Sequence, residues 1–146
     1  MPPLIKVGDQ VNLVETAKYP FASFPFKDFN PVQSRVFDFY DKDCNGVIAA
    51  ATSAGKTVVG EMFANHELTV RKGTFMYLCP LRALAQEKVD DWTDPAHPFS
   101  KKRVSICTGD YRLTPERVAE LNAAEVIIMT SEMLNHRCRN HKAEGN

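Results

Sequence analysis

The stretch AAATSAGKT, residues 49–57, carries residue types that bind phosphate. A phosphate-binding loop has the pattern glycine, four residues, glycine, lysine, and serine or threonine. Here Gly55, Lys56 and Thr57 complete the pattern, and Ala50 stands where the first glycine is usual. A chance match at a strand-helix junction is the alternative interpretation. The apolar run before the loop and the amphipathic stretch after it favour a phosphate loop.

Each part of this loop has a chemical task. The small residues Thr52, Ser53 and Ala54 let backbone N–H groups close on phosphate oxygens. Gly55 permits the close approach, at the positive end of the helix that follows. Lys56 supplies a mobile positive charge to the outer phosphates. The hydroxyl of the next residue can bind Mg²⁺, so the loop predicts a site for a phosphorylated ligand with its metal ion.

Apolar runs alternate with helical patterns along the chain, and this order predicts how the loop is held. Strands are predicted at 47–51, 74–79, 103–107 and 125–129, with helices at 31–40, 56–70, 81–92, 115–122 and from 131 onward. Strands that are apolar throughout, separated by helices, indicate an α/β fold with a parallel sheet covered on both faces. The loops that follow parallel strands lie at one edge of the sheet. The segments AAATSAGKT, PLRAL, TGD and TSE are therefore expected at that edge.

Bulk composition narrows the class of protein. The 146 residues suffice for one domain, and 18 basic residues balance 18 acidic ones, so nucleic acid would have to be held by local patches. The longest apolar run, residues 46–51, is too short to span a membrane, and the first ten residues do not resemble a signal peptide. Four widely spaced cysteines favour reduced thiols in an intracellular protein. Residues 1–28, with four prolines, are predicted to be an extended lead-in.

Five motifs in order resemble a known family. They are FNPVQ (29–33), AATSAGKT (50–57), PLRALAQEK (80–88), TGD (108–110) and TSE (130–132). This series is similar to the first RecA-like domain of superfamily 2 helicases, and most similar to the superkiller-like DExH-box group. The resemblance covers about residues 24 to 135. It implies that residues 29–146 are part of a RecA-like ATP-binding domain of an ATP-dependent DNA or RNA helicase or translocase, located in the cytoplasm or nucleus.

The resemblance implies a role for each matching position at the nucleotide. Gln33 would read the adenine edge; an ordinary exposed helix glutamine is the alternative. Lys56 and Thr57 would be catalytic, with Thr57 binding the Mg²⁺ of bound ATP. The implied ATP contacts are Gln33, Ala50, Ala51, Thr52, Ser53, Ala54, Gly55, Lys56 and Thr57. Phe26 or Phe29 could pack on the base, although either could instead be a core residue.

The resemblance also implies a nucleic-acid surface that contacts the backbone of single-stranded or partly duplex DNA or RNA. The implied residues are Pro80, Leu81, Arg82, Thr108, Gly109, Asp110, Thr130, Ser131 and Glu132. Such backbone contacts are independent of base sequence and can operate in a protein without net charge. A solvated helix charge is the alternative for Arg82, and simple helix capping is the alternative for Thr130 or Ser131.

The sequence departs from the family pattern in two ways. Ala51 stands where many relatives have proline, which the backbone tolerates. No Asp-Glu-x-His or Asp-Glu-x-Asp tetrapeptide occurs in the 146 residues. We therefore expect the chain to be an N-terminal piece of a larger helicase, with a second RecA-like domain as its partner, and to bind ATP without turning it over. A nucleic-acid-binding or regulatory module that never hydrolyses ATP is the alternative, and a nucleotide kinase or GTPase is a third hypothesis.

One cluster in HRCRNHK could suggest a metal site. His136, Cys138 and His141 lie close in sequence, but zinc usually takes four ligands from two spaced pairs. The chain offers no second pair near them. The sequence therefore favours a solvated, mildly basic helix end that could still touch a phosphate backbone.

Overall fold

The computed structural model describes residues 11–109 and 113–144, with the side chains of the last helix described as far as Asn140. The chain divides into two compact units, with the boundary between Lys72 and Gly73.

Two helices dominate the first unit. Helix α1 spans Pro31–Val36 and continues as a 3₁₀ turn over Phe37–Phe39, so the helix predicted to residue 40 becomes tighter after Val36. Helix α2 spans Lys56–His66 and continues as a π-helical turn over Glu67–Arg71. Lys72, with a φ of 56°, ends this turn in the left-handed region. Both predicted helices are confirmed.

Aromatic side chains form the core of the first unit. Tyr19 and Phe29 are buried, as are two residues of α2, Val59 and Met62. Partly buried rings pack around them, and we call the buried residues together with these rings the aromatic cluster: Tyr19, Phe21, Phe24, Phe26, Phe29, Phe37, Tyr40, Val59, Met62 and Phe63. The Tyr19 and Tyr40 rings meet edge to face, with centroids 5.0 Å apart, a favoured aromatic geometry. The Tyr19 hydroxyl donates to the carbonyl oxygen of Met62.

The segment before α1 is anchored to this cluster. Glu15 and Asp28 form an antiparallel bridge, and the N–H of Phe29 donates to the carbonyl of Val14 at 2.8 Å. A short 3₁₀ turn, Thr16–Lys18, lies between them and leads to the buried ring of Tyr19. Residues 11–28 are therefore more tightly packed than the extended lead-in predicted for 1–28.

The strand predicted at residues 47–51 is not formed. This segment has no regular secondary structure, and Val47 is 96% exposed. A strand is stabilised by hydrogen bonds to a neighbouring strand. Within the described residues no strand pairs with 47–51. Apolar composition alone therefore does not order it.

The second unit contains a parallel sheet of three strands. Strand β1 spans Phe75–Cys79, β2 spans Val104–Cys107 and β3 spans Val126–Thr130. Their order in the sheet is β1-β3-β2, and both pairs are parallel. Three of the four predicted strands and the parallel sheet are thus confirmed.

Three helices flank the sheet. They are α3 over Arg82–Thr93, α4 over Pro115–Ala123 and α5 over Ser131–Glu144. On one face the Trp92 ring of α3 packs edge-on against Tyr77, with centroids 5.1 Å apart. On the other face, Leu121 of α4 is buried against Cys107 and Met129, next to residues of α5. The α/β class is therefore as predicted.

Coverage of the sheet is uneven at β1. Met76 and Leu78 point to the same face of this strand and are each 42% exposed. The prediction of a parallel sheet flanked by helices is confirmed, and these two side chains of the edge strand are only partly covered. The helices of that face pack against β2 and β3 instead.

All four thiols are free: Cys79 and Cys107 are buried, whereas Cys44 and Cys138 are exposed. Burial raises the pKa of the Cys79 thiol, and a backbone hydrogen bond at Leu81 acts in the opposite direction. Within the described ranges, no helix is long and apolar enough to cross a membrane.

Candidate functional site

The phosphate-loop residues form a turn directly before α2. The N–H of Ala54 donates to the carbonyl of Ala51 at 3.0 Å, which closes the turn. Gly55 follows in the left-handed region, with φ 75° and ψ 28°, and Lys56 begins the helix. This backbone places the N-terminus of α2 at the loop, where partial positive charge and N–H groups favour an anion. Thr57 lies half-buried in the first turn of the helix.

The Lys56 ammonium folds back over the loop. Its Nζ donates to the carbonyl oxygen of Ala50 at 2.6 Å and lies 3.4 Å from that of Ala51. An ammonium has three donors and no acceptor. The two carbonyl oxygens therefore occupy donors that phosphate oxygens could take, and the charge is already inside the loop.

Two side chains at the start of α1 contact the phosphate loop. Its first turn is a capping box, in which Asn30 Oδ1 accepts from the N–H of Gln33 at 2.9 Å and Gln33 Oε1 accepts from the N–H of Asn30 at 3.0 Å. The same side chains reach the loop: Asn30 Nδ2 donates to Ala54 O at 2.9 Å, and Gln33 Nε2 donates to Gly55 O at 3.2 Å. We call these two contacts the loop brace.

The brace is in close contact with Gly55. A Cβ atom added to Gly55 would lie 2.9 Å from Asn30 Nδ2 and would overlap Gln33 Nε2. Gly55 therefore satisfies two requirements, because its φ is positive and its Cα lies against two side-chain amides.

Gln33 is only 5% exposed and makes these specific contacts, so the alternative of an ordinary exposed helix glutamine is wrong. Its amide nitrogen has a second hydrogen and its oxygen a second lone pair. The contacts above use one of its two donors and one of its two acceptor lone pairs.

The two phenylalanines considered for base packing differ. Phe29 is fully buried in the aromatic cluster, so its ring is not available to a ligand in this structure. Phe26 is partly buried in the cluster, and its ring centroid lies 5.5 Å from that of Phe24.

Burial raises the pKa of the Tyr19 hydroxyl well above its ordinary range, with a smaller contribution from Tyr40. Tyr19 is thus a neutral structural donor.

The second set of predicted residues lies at the carboxyl edge of the sheet. Pro80, Leu81 and Arg82 follow β1 and are exposed. Thr108 and Gly109 follow β2. A Cβ atom added to Gly109 would lie 2.8 Å from Arg82 Nη2, so the guanidinium lies against this glycine. Asp110 is outside the described residues.

The third segment of this edge begins where β3 ends. Thr130 is the last residue of β3 and is buried, and its Oγ1 accepts from the N–H of Met133 at 3.3 Å. Thr130 thus caps α5, as the alternative interpretation held. Ser131 and Glu132 are exposed at the start of that helix. The side chains of Thr108 and Thr130 are both buried. Any contact that these two residues make with a bound ligand would therefore use their backbone groups.

The predicted residues thus fall into two groups, each within one unit. The nucleotide group, Gln33 and residues 50–57, lies in the first unit, and the edge group at 80–82, 108–109 and 130–132 lies in the second. No cluster of three or more metal-ligating His, Cys, Asp or Glu side chains occurs in the described part of the chain. His141 lies beyond the last described side chain.

Sequence reasoning missed the part that Asn30 plays in the loop. The helix predicted at 31–40 begins directly after Asn30, but the contact of Asn30 with Ala54 spans 24 residues. The capping-box pattern of Asn followed three residues later by Gln was present in the sequence. That pattern predicts the reciprocal cap of α1, but it does not predict that the same two side chains also contact the phosphate loop.

Comparison with known proteins identifies similarities over most of the chain. Residues 30–144 match the model of the DEAD/DEAH box helicase family. The chain is 34% identical over 119 residues to the RQC trigger complex helicase SLH1 of Saccharomyces cerevisiae, a match covering 80% of this chain and 6% of that protein. It is 34% identical over 113 residues to human activating signal cointegrator 1 complex subunit 3, covering 76% of this chain and 5% of that protein.

A third relative is the human U5 small nuclear ribonucleoprotein 200 kDa helicase, 33% identical over 125 residues. That match covers 82% of this chain and 6% of the relative. The chain therefore spans a small fraction of the length of the curated relatives that it matches.

Proposed function

Because the chain belongs to the DEAD/DEAH box helicase family, we propose that it binds ATP–Mg²⁺ at residues 50–57 as the nucleotide-binding part of an ATP-dependent helicase or translocase acting on DNA or RNA. The observation that carries the proposal is the position of Lys56. Its ammonium lies inside the loop on two backbone carbonyls, at the N-terminus of an 11-residue helix. Positive charge, helix N–H groups and a left-handed glycine converge where phosphates would bind.

The remaining nucleotide contacts follow from this arrangement. The Thr57 hydroxyl, one residue beyond Lys56, would bind the Mg²⁺ that accompanies the β- and γ-phosphates. Gln33 would recognise the adenine edge with its spare donor and acceptor. The backbone of residues 50–55 would enclose the phosphates. Lys56 and Thr57 would then neutralise the charge that develops during phosphoryl transfer.

The carboxyl edge of the sheet is the proposed nucleic-acid surface. Arg82 lies against Gly109 there, Pro80 and Leu81 are exposed, and Ser131 and Glu132 begin α5 after β3. Contacts from backbone amides, a helix start and one arginine would hold the phosphate backbone without reading bases. This suits a chain with no net charge, because few phosphates need to be neutralised.

Complete activity would require more than these residues. Phosphoryl transfer in related enzymes uses a metal-binding acidic pair and an arginine finger, and the proposed partner is therefore a second RecA-like domain in a longer protein. We propose that residues 29–146 form part of the first RecA-like domain of that protein. We propose the nucleus or cytoplasm as the location of this activity, and the name of one relative, which refers to a small nuclear ribonucleoprotein, is compatible with that.

The proposal is tested by replacing Lys56 in the 146-residue chain. Calorimetry with ATP–Mg²⁺ should show binding by the wild type and an affinity about ten- to a hundredfold lower for Lys56→Ala, the loss of one charged hydrogen-bonding group. Lys42→Ala is the matched control, because Lys42 is an exposed lysine of the same unit, paired 3.9 Å from Asp41. This variant loses the same charge as Lys56→Ala, and it should bind ATP–Mg²⁺ with wild-type affinity.

The melting temperatures of both variants should stay near that of the wild type, since the Lys56 side chain lies on the loop and not in the aromatic cluster. Equal ATP affinities for wild type and Lys56→Ala would refute the phosphate-loop assignment. So would an equal loss in the Lys42 control.

A further inference from the structure

We propose that Asn30 is a positioning residue for the phosphate loop: its side-chain amide holds the carbonyl of Ala54 so that the backbone N–H groups after it face the bound phosphates. This inference rests on the proposed nucleotide site. It assigns Asn30 a task separate from capping α1 and from any contact with the base.

The loop brace restrains two consecutive peptide groups. Asn30 Nδ2 donates to Ala54 O at 2.9 Å, and Gln33 Nε2 donates to Gly55 O at 3.2 Å. Both donors come from one capping box at the start of α1. The two loop carbonyls are therefore directed toward α1.

Because peptide groups are planar, these contacts to carbonyl oxygens also fix the direction of the N–H groups of Gly55 and Lys56. The chain has no cis peptide bond in its described part. In a planar trans peptide the N–H points opposite to the carbonyl. Holding Ala54 O toward α1 therefore turns the N–H of Gly55 away from α1, and holding Gly55 O does the same for the N–H of Lys56. These are the donors that an anion at the N-terminus of α2 would use.

The residue type at position 30 supports this role. Asp, Ser and Thr cap helices about as well as Asn does, so capping alone does not require an amide. Asn30 uses both of its polar atoms: Oδ1 accepts the N–H of Gln33, and Nδ2 donates to the loop. The donor half has no function in the cap, and its target is the phosphate loop.

Two substitutions separate the functions of Asn30. Asn30→Asp is nearly isosteric, keeps the cap acceptor and lacks the donor. Asn30→Ser keeps a capping oxygen without adding charge and does not carry the amide. A loss shared by both variants is independent of side-chain size and charge. Thr114→Ala is the matched control, because Thr114 caps α4 through the N–H of Arg117 at 3.3 Å and belongs to neither proposed binding surface.

The first measurement is calorimetry of the 146-residue variants with ATP–Mg²⁺ and with inorganic triphosphate–Mg²⁺, which has no base for Gln33 to recognise. Both Asn30 variants should bind about three- to tenfold more weakly than the wild type, the scale of one hydrogen bond. The loss should be equal for the two ligands, since the oriented donors face phosphates. Thr114→Ala should lower the melting temperature and leave nucleotide affinity unchanged.

The second measurement remains informative if a variant is less stable. Labelling with ¹⁵N-glycine gives at most seven backbone amide signals, one of which is Gly55. In the wild type, ATP–Mg²⁺ should shift the Gly55 signal. In both Asn30 variants this signal should already differ without nucleotide, while the Gly109 signal stays in place.

Wild-type ATP affinity in both Asn30 variants would overturn the inference and leave the proposed function intact. A loss confined to ATP would assign Asn30 to the base and overturn it as well, as would an unchanged Gly55 signal. Failure of the wild-type chain to bind ATP would instead refute the proposed function itself, and the inference with it.

Discussion

The phosphate loop and the carboxyl edge of the sheet are held in different ways. At the sheet edge, parallel strands joined by backbone hydrogen bonds bring three segments together. At the phosphate loop, the preceding residues 47–51 form no strand, and the loop is held from the side by the amides of Asn30 and Gln33. One region depends on a backbone ladder that many sequences can form. The other depends on two specific side chains.

This difference predicts where single substitutions matter. A ladder tolerates changes in side chains because its hydrogen bonds are made by the backbone. A brace made by side-chain amides in contact with one glycine has no such tolerance, because each partner is a particular residue type. Substitutions that fill or loosen the phosphate loop should therefore have larger effects than equivalent ones at the sheet edge.

The largest effect is expected for Gly55→Ala. An alanine there must adopt a positive φ, which costs about 1–3 kcal/mol, and its Cβ would overlap the Gln33 amide. We expect urea denaturation to show a loss of stability of that size and calorimetry to show at least a tenfold loss of ATP affinity. In Gly46→Ala, whose Cβ would meet nothing within 4 Å, both quantities should stay near wild type.

Gly109→Ala extends this test to the sheet edge. Its Cβ would meet the far end of the Arg82 side chain, which can move aside. The free energy of unfolding should therefore change by less than about 0.5 kcal/mol, as for surface positions in general. If Gly109→Ala destabilised the chain as much as Gly55→Ala, the contrast between the two regions would be wrong.

A smaller, pH-dependent effect is expected for Tyr19→Phe. The pKa of Tyr19 is raised by burial, so the folded state keeps a proton that an unfolded tyrosine loses near its ordinary value of about 10. The resulting stability is present below pH 10 and lost as the pH rises toward the folded-state value. The wild type should lose up to about 1.4 kcal/mol per pH unit from this residue.

Urea midpoints at pH 8, 10 and 11 measure this effect. Tyr19→Phe should be less stable than wild type at pH 8 by about 0.5–1.5 kcal/mol, because the hydrogen bond to Met62 is lost. The difference should shrink as the pH rises. A residual slope is expected from Tyr40, whose pKa is also raised by burial. Parallel pH profiles for the two proteins would contradict the prediction.

The smallest effect should be a gain from Gly60→Ala. Gly60 lies inside α2, and a Cβ there would meet nothing within 4 Å. Alanine restricts the unfolded chain and favours the helix, so stability should rise by about 0.5–1 kcal/mol. Thermal denaturation followed by circular dichroism measures it. Destabilisation would show that the α2 surface has less room than the structure indicates.

Much of the fold could be predicted from local pattern. Pro31 after Asn30, and Pro115 after Thr114, mark helix starts whose caps the structure contains. The runs that became β2 and β3 are apolar because both sides of these strands are largely enclosed, and β1 has a similar composition although Met76 and Leu78 are each 42% exposed. The run at 47–51 has the same composition and forms no strand, because pairing depends on a neighbour that its own sequence does not specify.

The sequence predicts which residues of the candidate site could bind phosphate better than it predicts which residues hold them in position. Gly55 and Lys56 are recognisable because a short local spacing defines the phosphate loop. The brace from Asn30 joins residues 24 positions apart, and no local spacing encodes that distance. The aromatic cluster was missed for a similar reason, since Phe21, Phe24 and Phe26 follow neither a helical nor a strand period.

The distribution of the four thiols makes the chain suitable for selective chemical labelling. Cys79 and Cys107 are buried, whereas Cys44 and Cys138 are exposed. A maleimide reagent should therefore modify two cysteines in the native chain and all four after denaturation. Cys44 lies six residues before the start of the phosphate loop at Ala50. With Cys138 replaced by serine, a fluorophore on Cys44 becomes an optical label six residues in sequence from the proposed nucleotide site.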